Sequence, residues 1–215
     1  MNVIFDYSIF FHQKYGGISR YFLKLHDELK KNNINPKIIA PINNNIFLKN
    51  HKLDYIYGIY LKDYPRFTRQ ILKNFNHLFL NLYSKIKKPD IIHKTFYEKN
   101  FNNDKHIKKV ITVYDLAHEI YYEDYNKSSM NRPKKEALEN VDRIICPSNK
   151  TKKDLIEFYK ISSSKIEVIY MGTNEFFDNN NFQIVKSLTK PFILYVGDRK
   201  RYKNFLNLLN AFALS

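Results

Sequence analysis

The sequence predicts an α/β protein with a Rossmann-like parallel sheet that is flanked by helices. Short apolar runs typical of strands alternate with stretches of helical periodicity along most of the 215 residues. The strand runs are apolar at consecutive positions, which indicates that helices cover both faces of the sheet. After an asparagine-rich stretch the same pattern begins again, and this second start predicts a further domain.

Six strands are predicted in the first domain, each a short run rich in Ile, Val or Phe. They are NVIFDY (2–7), PKIIAP (36–41), PDIIH (89–93), KKVITVYD (108–115), DRIICPS (142–148) and KIEVIY (165–170). Because helical segments separate most of them, we expect parallel neighbours. The segment INNN (42–45) is predicted to be a polar loop.

Four helices are predicted in the same region. Residues 17–32 and 67–86 carry apolar side chains at helical spacing, in the second case at Phe67, Ile71, Phe75, Leu78, Leu82 and Ile86. Residues 133–141 form the third helix, with Pro133 near its first turn. The fourth covers residues 149–159, where the Ser148 side chain can cap the free amides.

We expect the first domain to cover residues 1–170 and a linker to cover residues 171–190. Residues 191–215 then read as a buried strand, a basic loop and a helix. A lone strand and helix cannot bury their own apolar faces. We therefore expect this segment to be the first unit of a truncated second domain.

Charge and cysteine content narrow the classes of partner and compartment. The formal net charge of +15 favours anionic partners such as nucleic acid, an anionic membrane face or a phosphorylated small molecule. A Lys-, Asn- and Ile-rich coding bias explains part of this charge, so the charge selects no single function. The single cysteine, Cys146, excludes an internal disulfide framework. With no signal-peptide pattern after Met1 and no membrane-spanning apolar run, we expect a soluble cytoplasmic protein.

Two adjacent glycines, Gly16 and Gly17, precede the first predicted helix. In doubly wound sheets, ligands bind beyond the carboxyl ends of the strands, and glycines let the backbone approach a phosphate there. A tight turn that needs a positive φ explains the pair equally well. The pattern is not G-x-G-x-x-G, which disfavours a dinucleotide.

Two further groups of residues lie where functional side chains collect. Arg199 and Lys203 follow the predicted strand before Gly197 and form either an anion site or a solvated basic loop. Asp115 and His118 follow a predicted strand end, where a histidine serves acid–base chemistry or is simply structural. For His93 we favour the structural interpretation.

Several of these segments resemble a known family. GGISRYF, VITVYDLAHE, RIICPSNKTKKDLIEFYKISSSKIEVIYMGTN and FILYVGDRKRYKNFLNLLNAF are similar, in this order, to family 4 glycosyltransferases of the two-domain GT-B fold, in the subgroup that builds bacterial surface polysaccharides. The resemblance implies a retaining transferase that moves a sugar from a nucleotide-sugar to a glycan or lipid-linked acceptor. It also implies that Gly16, Gly17, Arg199 and Lys203 bind the donor diphosphate, without metal or cofactor.

The sequence departs from the family pattern at two places. Many members carry a histidine directly before the aspartate that corresponds to Asp115, whereas this chain has Tyr114, and His118 follows three residues after the aspartate. We take Asp115 and His118 as the candidate catalytic pair. The family's Glu-x7-Glu donor motif lies beyond residue 215, so we expect the chain itself to be an inactive fragment.

Residues 66–88 form an amphipathic basic segment that favours one of two roles. It is either a helix that packs on the sheet with its lysines in solvent, which we favour, or a helix whose apolar row rests on an anionic membrane that carries lipid-linked acceptors. Two other functions stay open for the chain as a whole. One is a non-catalytic domain that binds a ligand or partner, and the other is a nucleic-acid binder, which we disfavour because no known nucleic-acid module appears.

Overall fold

The computed structural model describes residues 1–50, 56–98, 104–121, 131–172, 192–199 and 201–214. The chain divides into two compact units. The first contains Met1–Leu116 and Ser129–Ile169, and the second contains Ala117–Ser128 and Tyr170–Ser215. Each unit is described by itself.

The first unit is built on a seven-stranded sheet in which every neighbouring pair is parallel. Its strands are β1 (Asn2–Phe5), β2 (Asn35–Asn43), β3 (Ile56–Tyr60), β4 (Ile91–Lys94), β5 (Lys108–Thr112), β6 (Arg143–Cys146) and β7 (Ile166–Val168). They lie in the order β3-β2-β1-β4-β5-β6-β7. The predicted Rossmann-like α/β fold is confirmed, and all six predicted strands of the first domain are present.

Eight helices are found in the described residues. They are α1 (Ser8–His12), α2 (Gly17–Lys31), α3 (Ile46–Asn50), α4 (Arg69–Lys87), α5 (Ala117–Ile120), α6 (Asn131–Glu139), α7 (Asn149–Tyr159) and α8 (Phe205–Ala213). Short 3-10 helices cover Ser163–Lys165 and Arg201–Lys203. The predicted cap of α7 is present, because the Ser148 side chain accepts a hydrogen bond from the Thr151 amide at 3.1 Å.

Four of the numbered elements lie outside the sequence predictions: α1, α3, α5 and β3. The helix α3 begins at the end of the expected polar loop, where the Asn45 side chain accepts hydrogen bonds from the amides of Phe47 and Leu48. The strand β3 depends on Gly58, because a Cβ at this position would lie 1.8 Å from the carbonyl oxygen of Ala40 in β2. A side chain there would push the two strands apart.

Aromatic side chains join the sheet to the helix α2. The rings of Phe5 in β1 and Phe22 in α2 lie 5.4 Å apart, and the His93 ring lies 5.1 Å from Phe22. All three side chains are buried. These aromatic contacts fix the helix α2 on the carboxyl half of the sheet.

A second apolar cluster packs around β5, β6, α6 and α7 and includes the buried thiol of Cys146.

The helix α4 forms where it is predicted but packs through an unexpected face. Its buried or half-buried inner face is formed by Leu72, Asn76, Phe79, Leu80, Tyr83 and Ser84. Asn76 fixes this face to the sheet, since its amide accepts from the Ile42 amide at 2.7 Å and donates to the Ile42 carbonyl at 2.8 Å. The expectation that this helix packs on the sheet is therefore confirmed, although its more regular apolar row remains exposed.

The second unit differs from its prediction in one element. The expected buried strand at 191–196 is not found, since the described residues 192–196 have no regular secondary structure. Phe192, Ile193, Leu194 and Val196 are between 61% and 85% exposed. No described strand pairs with this segment, and a strand needs a neighbour for its backbone hydrogen bonds. The helix that follows is present as α8.

Candidate functional site

The glycine pair lies at the carboxyl edge of the sheet, where α2 begins. Gly16 precedes the helix in an extended conformation, and Gly17 is the first helical residue. The Gln13 amide side chain fills the space beside Gly16, where a Cβ would lie 2.4 Å from its Cδ. The same side chain accepts a hydrogen bond from the Ser19 amide at 3.3 Å. Gly16 therefore leaves room for Gln13 rather than for a ligand.

The space above Gly17 is open. A Cβ at Gly17 would meet no heavy atom within 4 Å. The first intrahelical bond of α2 runs from the Arg20 amide to the Gly16 carbonyl, so the amides before Arg20 lack intrahelical acceptors. The Gln13 side chain accepts the hydrogen bond of the Ser19 amide. The amides of Gly17 and Ile18 have no acceptor among the described residues. Two amide donors at the positive end of a 15-residue helix thus lack an acceptor among the described residues.

The same edge carries the end of β5. The rings of Tyr21 in α2 and Tyr114, which follows β5, are in T-shaped contact with centroids 5.6 Å apart. The contact brings the start of α2 to the same edge as Asp115, which is exposed. Behind Asp115, the almost fully buried Lys134 directs its Nζ toward the Asp115 carbonyl at 3.4 Å. Asp115 therefore lies exposed at the strand end, with Lys134 beneath its backbone.

Tyr114 differs chemically from the histidine that the family resemblance implies at its position. Its hydroxyl is buried and has no hydrogen-bond partner among the described residues. Burial raises the pKa of Tyr114, so the phenol stays protonated. A neutral buried phenol cannot exchange a proton near pH 7. Tyr114 therefore cannot act as the general acid or base at this edge, and another residue must supply that role.

His118 does not belong to the same unit as Asp115. It is half-buried on the four-residue helix α5, which the second unit includes. Arg199 and Lys203 belong to this second unit as well. The Arg199 guanidinium lies over the Phe205 ring at 4.9 Å, and the Lys203 ammonium lies over the Tyr202 ring at 5.0 Å. Both cations thus lie in the segment that directly precedes α8.

A buried polar network joins the ends of β1 and β4 beneath the edge. The Asp6 carboxylate accepts hydrogen bonds from Thr95 and from the Ser8 hydroxyl, the latter at 2.8 Å. Burial raises the pKa of Asp6 above its usual value even though these donors act in the opposite direction. Lys94 is buried nearby, and burial lowers its pKa to about 8. His93 is buried too, which agrees with a structural role.

A second polar cluster at this edge could not be expected from the sequence. His12 Nε2 lies 2.5 Å from Glu98 Oε1, and Lys73 Nζ lies 2.7 Å from Glu98 Oε2. The Arg69 guanidinium lies 3.1 Å from His12 Nδ1. A guanidinium can only donate hydrogen bonds, so His12 Nδ1 accepts one from Arg69. His12 Nε2 therefore carries the ring proton and donates a hydrogen bond to Glu98. Burial raises the pKa of Glu98, but these donors bring it below its ordinary value.

These four residues come from three separate elements, α1, α4 and the segment after β4. His12 and Glu98 are 86 residues apart in the chain. No local motif links them, so the topology alone brings them together.

Among the described residues, no group of three or more His, Cys, Asp or Glu side chains is arranged to hold a metal ion. No described helix is long and apolar enough to cross a membrane.

Comparisons with known proteins give a family and a fold. The family model described as Glycosyltransferase Family 4 matches residues 15–175. The structure is similar to that of a glycosyltransferase from Rickettsia africae ESF-5, with a TM-score of 0.52 and 22% sequence identity. The match covers 85% of this chain and 46% of the other protein's chain. It is also similar to a UDP-GlcNAc 2-epimerase from Neisseria meningitidis that was solved with UDP-GlcNAc bound. Here the TM-score is 0.52 and the sequence identity 17%, and the match covers 78% of this chain and 45% of the other protein's chain.

At these identities the two structures show a shared fold and nothing further. The chain spans less than half the length of either solved structure. No curated protein matches the chain.

Proposed function

Because the chain belongs to glycosyltransferase family 4, we propose that it moves a sugar from a nucleotide diphosphate-sugar to an acceptor hydroxyl. The observation that carries this proposal is the start of α2. There the amides of Gly17 and Ile18 have no acceptor among the described residues, and the Cβ position of Gly17 is open. Ligands of doubly wound sheets bind at the carboxyl edge of the sheet, and phosphates bind at helix N-termini.

The chemical need of the reaction is to stabilise the departing nucleoside diphosphate. Backbone amides and fixed cations do this electrostatically, without reorganising when the bond breaks. We assign the amide donors to the start of α2 and the cations to Arg199 and Lys203. No protein nucleophile and no metal ion is assigned, and the sugar keeps its anomeric configuration.

Asp115 and His118 are proposed to contact the reacting sugar. The exposed Asp115 carboxylate can accept hydrogen bonds from sugar hydroxyls at the end of β5. Since Tyr114 is buried and neutral, we assign to His118 the role that a histidine at that position would otherwise have.

For the acceptor we propose a lipid-linked glycan used in surface-polysaccharide synthesis, reached at the inner face of the membrane. The basic character of the chain, with its net charge of +15, supports an anionic surface as the working environment. Nucleic acid is not proposed as a partner.

The test is transfer of labelled sugar from a panel of nucleotide-sugars to an extracted bacterial lipid fraction. In an active enzyme that contains this chain, we expect one donor to give label in the lipid fraction and free nucleoside diphosphate in equal amounts. NMR of the product should show the anomeric configuration of the donor. Donor binding without any transfer would favour a non-catalytic binding domain, and oligonucleotide binding that weakens steeply with salt would favour a nucleic-acid binder.

A further inference from the structure

The helix α4 has two apolar faces, and only one of them is used inside the fold. The unused face, here called the outer stripe, consists of Phe67, Ile71, Phe75, Leu78, Leu82 and Ile86. Their exposed fractions are 97%, 68%, 48%, 57%, 51% and 74%, respectively. From Ile71 onward the spacing of four, three, four and four residues keeps these side chains on one side of the helix, and Phe67 directly precedes its N-cap. The outer stripe is a continuous apolar surface and not a set of scattered side chains.

The length of this surface also sets it apart. From Ile71 to Ile86 the helix advances 15 residues, which corresponds to about 22 Å along its axis. Single exposed apolar residues are ordinary on protein surfaces, whereas a continuous patch of this kind marks an interaction site. The inner face already anchors the helix, so packing on the sheet does not explain the outer one.

The charges around the outer stripe are all of one sign. No Asp or Glu occurs between residues 64 and 89. Arg66 and Arg69 are exposed at the beginning of α4, and Lys85, Lys87 and Lys88 are exposed at its end. An apolar row that carries cations at both ends is the pattern of a helix that lies in the plane of an anionic lipid surface.

Phe67 adds an independent observation at the beginning of the stripe. It is 97% exposed, and its φ of 63° lies in the left-handed region, which a bulky side chain rarely adopts. The fold therefore keeps an unfavourable backbone conformation that directs an aromatic ring into solvent. Unfavourable conformations of this kind collect at ligand and contact sites.

The position of the stripe relates it to the carboxyl edge. Arg69, at the beginning of α4, contacts His12 and lies over the rings of Phe11 and Tyr64 at 5.5 and 5.8 Å. His12 and Phe11 end the helix that follows β1. The outer stripe thus begins beside the edge at which α2 starts, so a molecule embedded in lipid would meet that edge first.

We propose that the outer stripe of α4 is a membrane-docking surface whose occupant is an anionic phospholipid bilayer. The apolar side chains enter the region between headgroups and acyl chains, and the flanking cations contact the lipid phosphates. A second copy of the chain is a poorer occupant, because a two-fold contact along α4 would bring cationic ends together without any acidic partner. This inference deepens the proposed function by naming the surface that faces the lipid-linked acceptor.

The experiment is flotation of the full chain with vesicles of phosphatidylcholine that contain either no phosphatidylglycerol or about one third of it. Wild-type protein should float with the anionic vesicles and much less with the neutral ones. The double variant Ile71→Ser/Phe75→Ser should bind the anionic vesicles at least tenfold more weakly. The variant Lys85→Gln/Lys87→Gln should also bind more weakly, and its residual binding should depend less on salt.

The matched control is Ile59→Ser/Phe158→Ser. These side chains lie outside the stripe and are 69% and 46% exposed, compared with 68% for Ile71 and 48% for Phe75. The control should bind the vesicles as wild type does, and all variants should keep wild-type circular dichroism. Because the removed side chains are exposed, loss of binding cannot be ascribed to a lost core contact.

Three results would overturn the proposal: no binding of wild type to anionic vesicles, equal loss in the control variant, or a stable dimer that only the Ile71→Ser/Phe75→Ser change dissociates. The last result would make the stripe an interface between copies. Since the vesicles contain neither nucleotide-sugar nor glycan acceptor, the outcome is independent of sugar transfer. A failure of the docking surface is therefore distinguishable from a failure of the transferase reaction.

Discussion

The Asp6 carboxylate accepts hydrogen bonds from both the backbone amide and the hydroxyl of Thr95, at 2.8 and 2.5 Å. The same hydroxyl lies 3.0 Å from the Ile9 amide, whose hydrogen bond it accepts. Thr95 thus ties the end of β4 to the end of β1 and to the first turn of α1. All of these groups are buried beneath the candidate site, so the site rests on a polar connection between two central strands.

Thr95→Val should destabilise the first unit, because the buried Asp6 carboxylate loses a donor and the Ile9 amide loses its acceptor. We expect a loss of about 1–3 kcal/mol in the free energy of unfolding, measured by urea denaturation. Thr95→Ser keeps the hydroxyl and should cost only about 0.8 kcal/mol for the lost methyl group. Equal losses in the two variants would show that the hydroxyl contributes nothing.

His93 should make the protein less stable in mild acid. Burial lowers its pKa to about 3 in the folded state, whereas the unfolded value is about 6.5. Its neutral form therefore contributes stability that is fully present above about pH 6.5 and is lost progressively as the pH falls toward the folded value. Asp6, with its raised pKa, acts in the opposite sense, so the effect of His93 must be isolated by difference.

The measurement compares wild type with His93→Gln by urea denaturation between pH 7 and pH 4.5. Below about pH 6.5 the wild type should lose stability more steeply, by up to about 1.4 kcal/mol per pH unit. His106→Gln changes an exposed histidine and should keep the wild-type slope. Parallel curves for wild type and His93→Gln would mean that His93 can be protonated in the folded protein.

Gly17→Val should impair donor use without affecting folding. The new side chain enters open space, so the thermal midpoint should stay within error of wild type. It would occupy the volume in front of the first-turn amides, and we expect kcat/KM for the nucleotide-sugar to fall by about tenfold or more. Lys24→Val, an exposed position of the same helix, is the control and should keep wild-type kinetics. An unchanged kcat/KM in Gly17→Val would remove the start of α2 from the donor site.

Arg199→Ala and Lys203→Ala should each remove one charge-assisted contact to the donor diphosphate. Such contacts are worth about 1.5–3 kcal/mol, which corresponds to roughly tenfold to a hundredfold in kcat/KM. Binding of the free nucleoside diphosphate, measured by calorimetry, should weaken in parallel. Lys153→Ala changes an exposed lysine of α7 and serves as the control. If all three variants keep wild-type affinity, the two cations do not touch the diphosphate.

Local sequence patterns are sufficient to predict most of the sheet and its main helices. Runs such as NVIF and RIIC predict strands because consecutive apolar residues are stable only when both faces of a strand are covered. The start of α7 follows from Ser148, since a hydroxyl at this position satisfies an amide within its own turn. The glycine pair at the start of α2 is equally local. For the cap and the glycine pair, the decisive contacts lie within a few residues of chain.

Only the tertiary structure decides the features that depend on distant contacts. The strand β3 exists because Gly58 allows β2 to approach, and the cluster of His12 and Glu98 exists because α1 and the segment after β4 meet at one edge. The same is true of α4, whose more regular apolar row remains exposed while Asn76 and its neighbours face the sheet. Periodicity shows that a helix has an apolar face, but the partner that buries a face is set by three-dimensional packing.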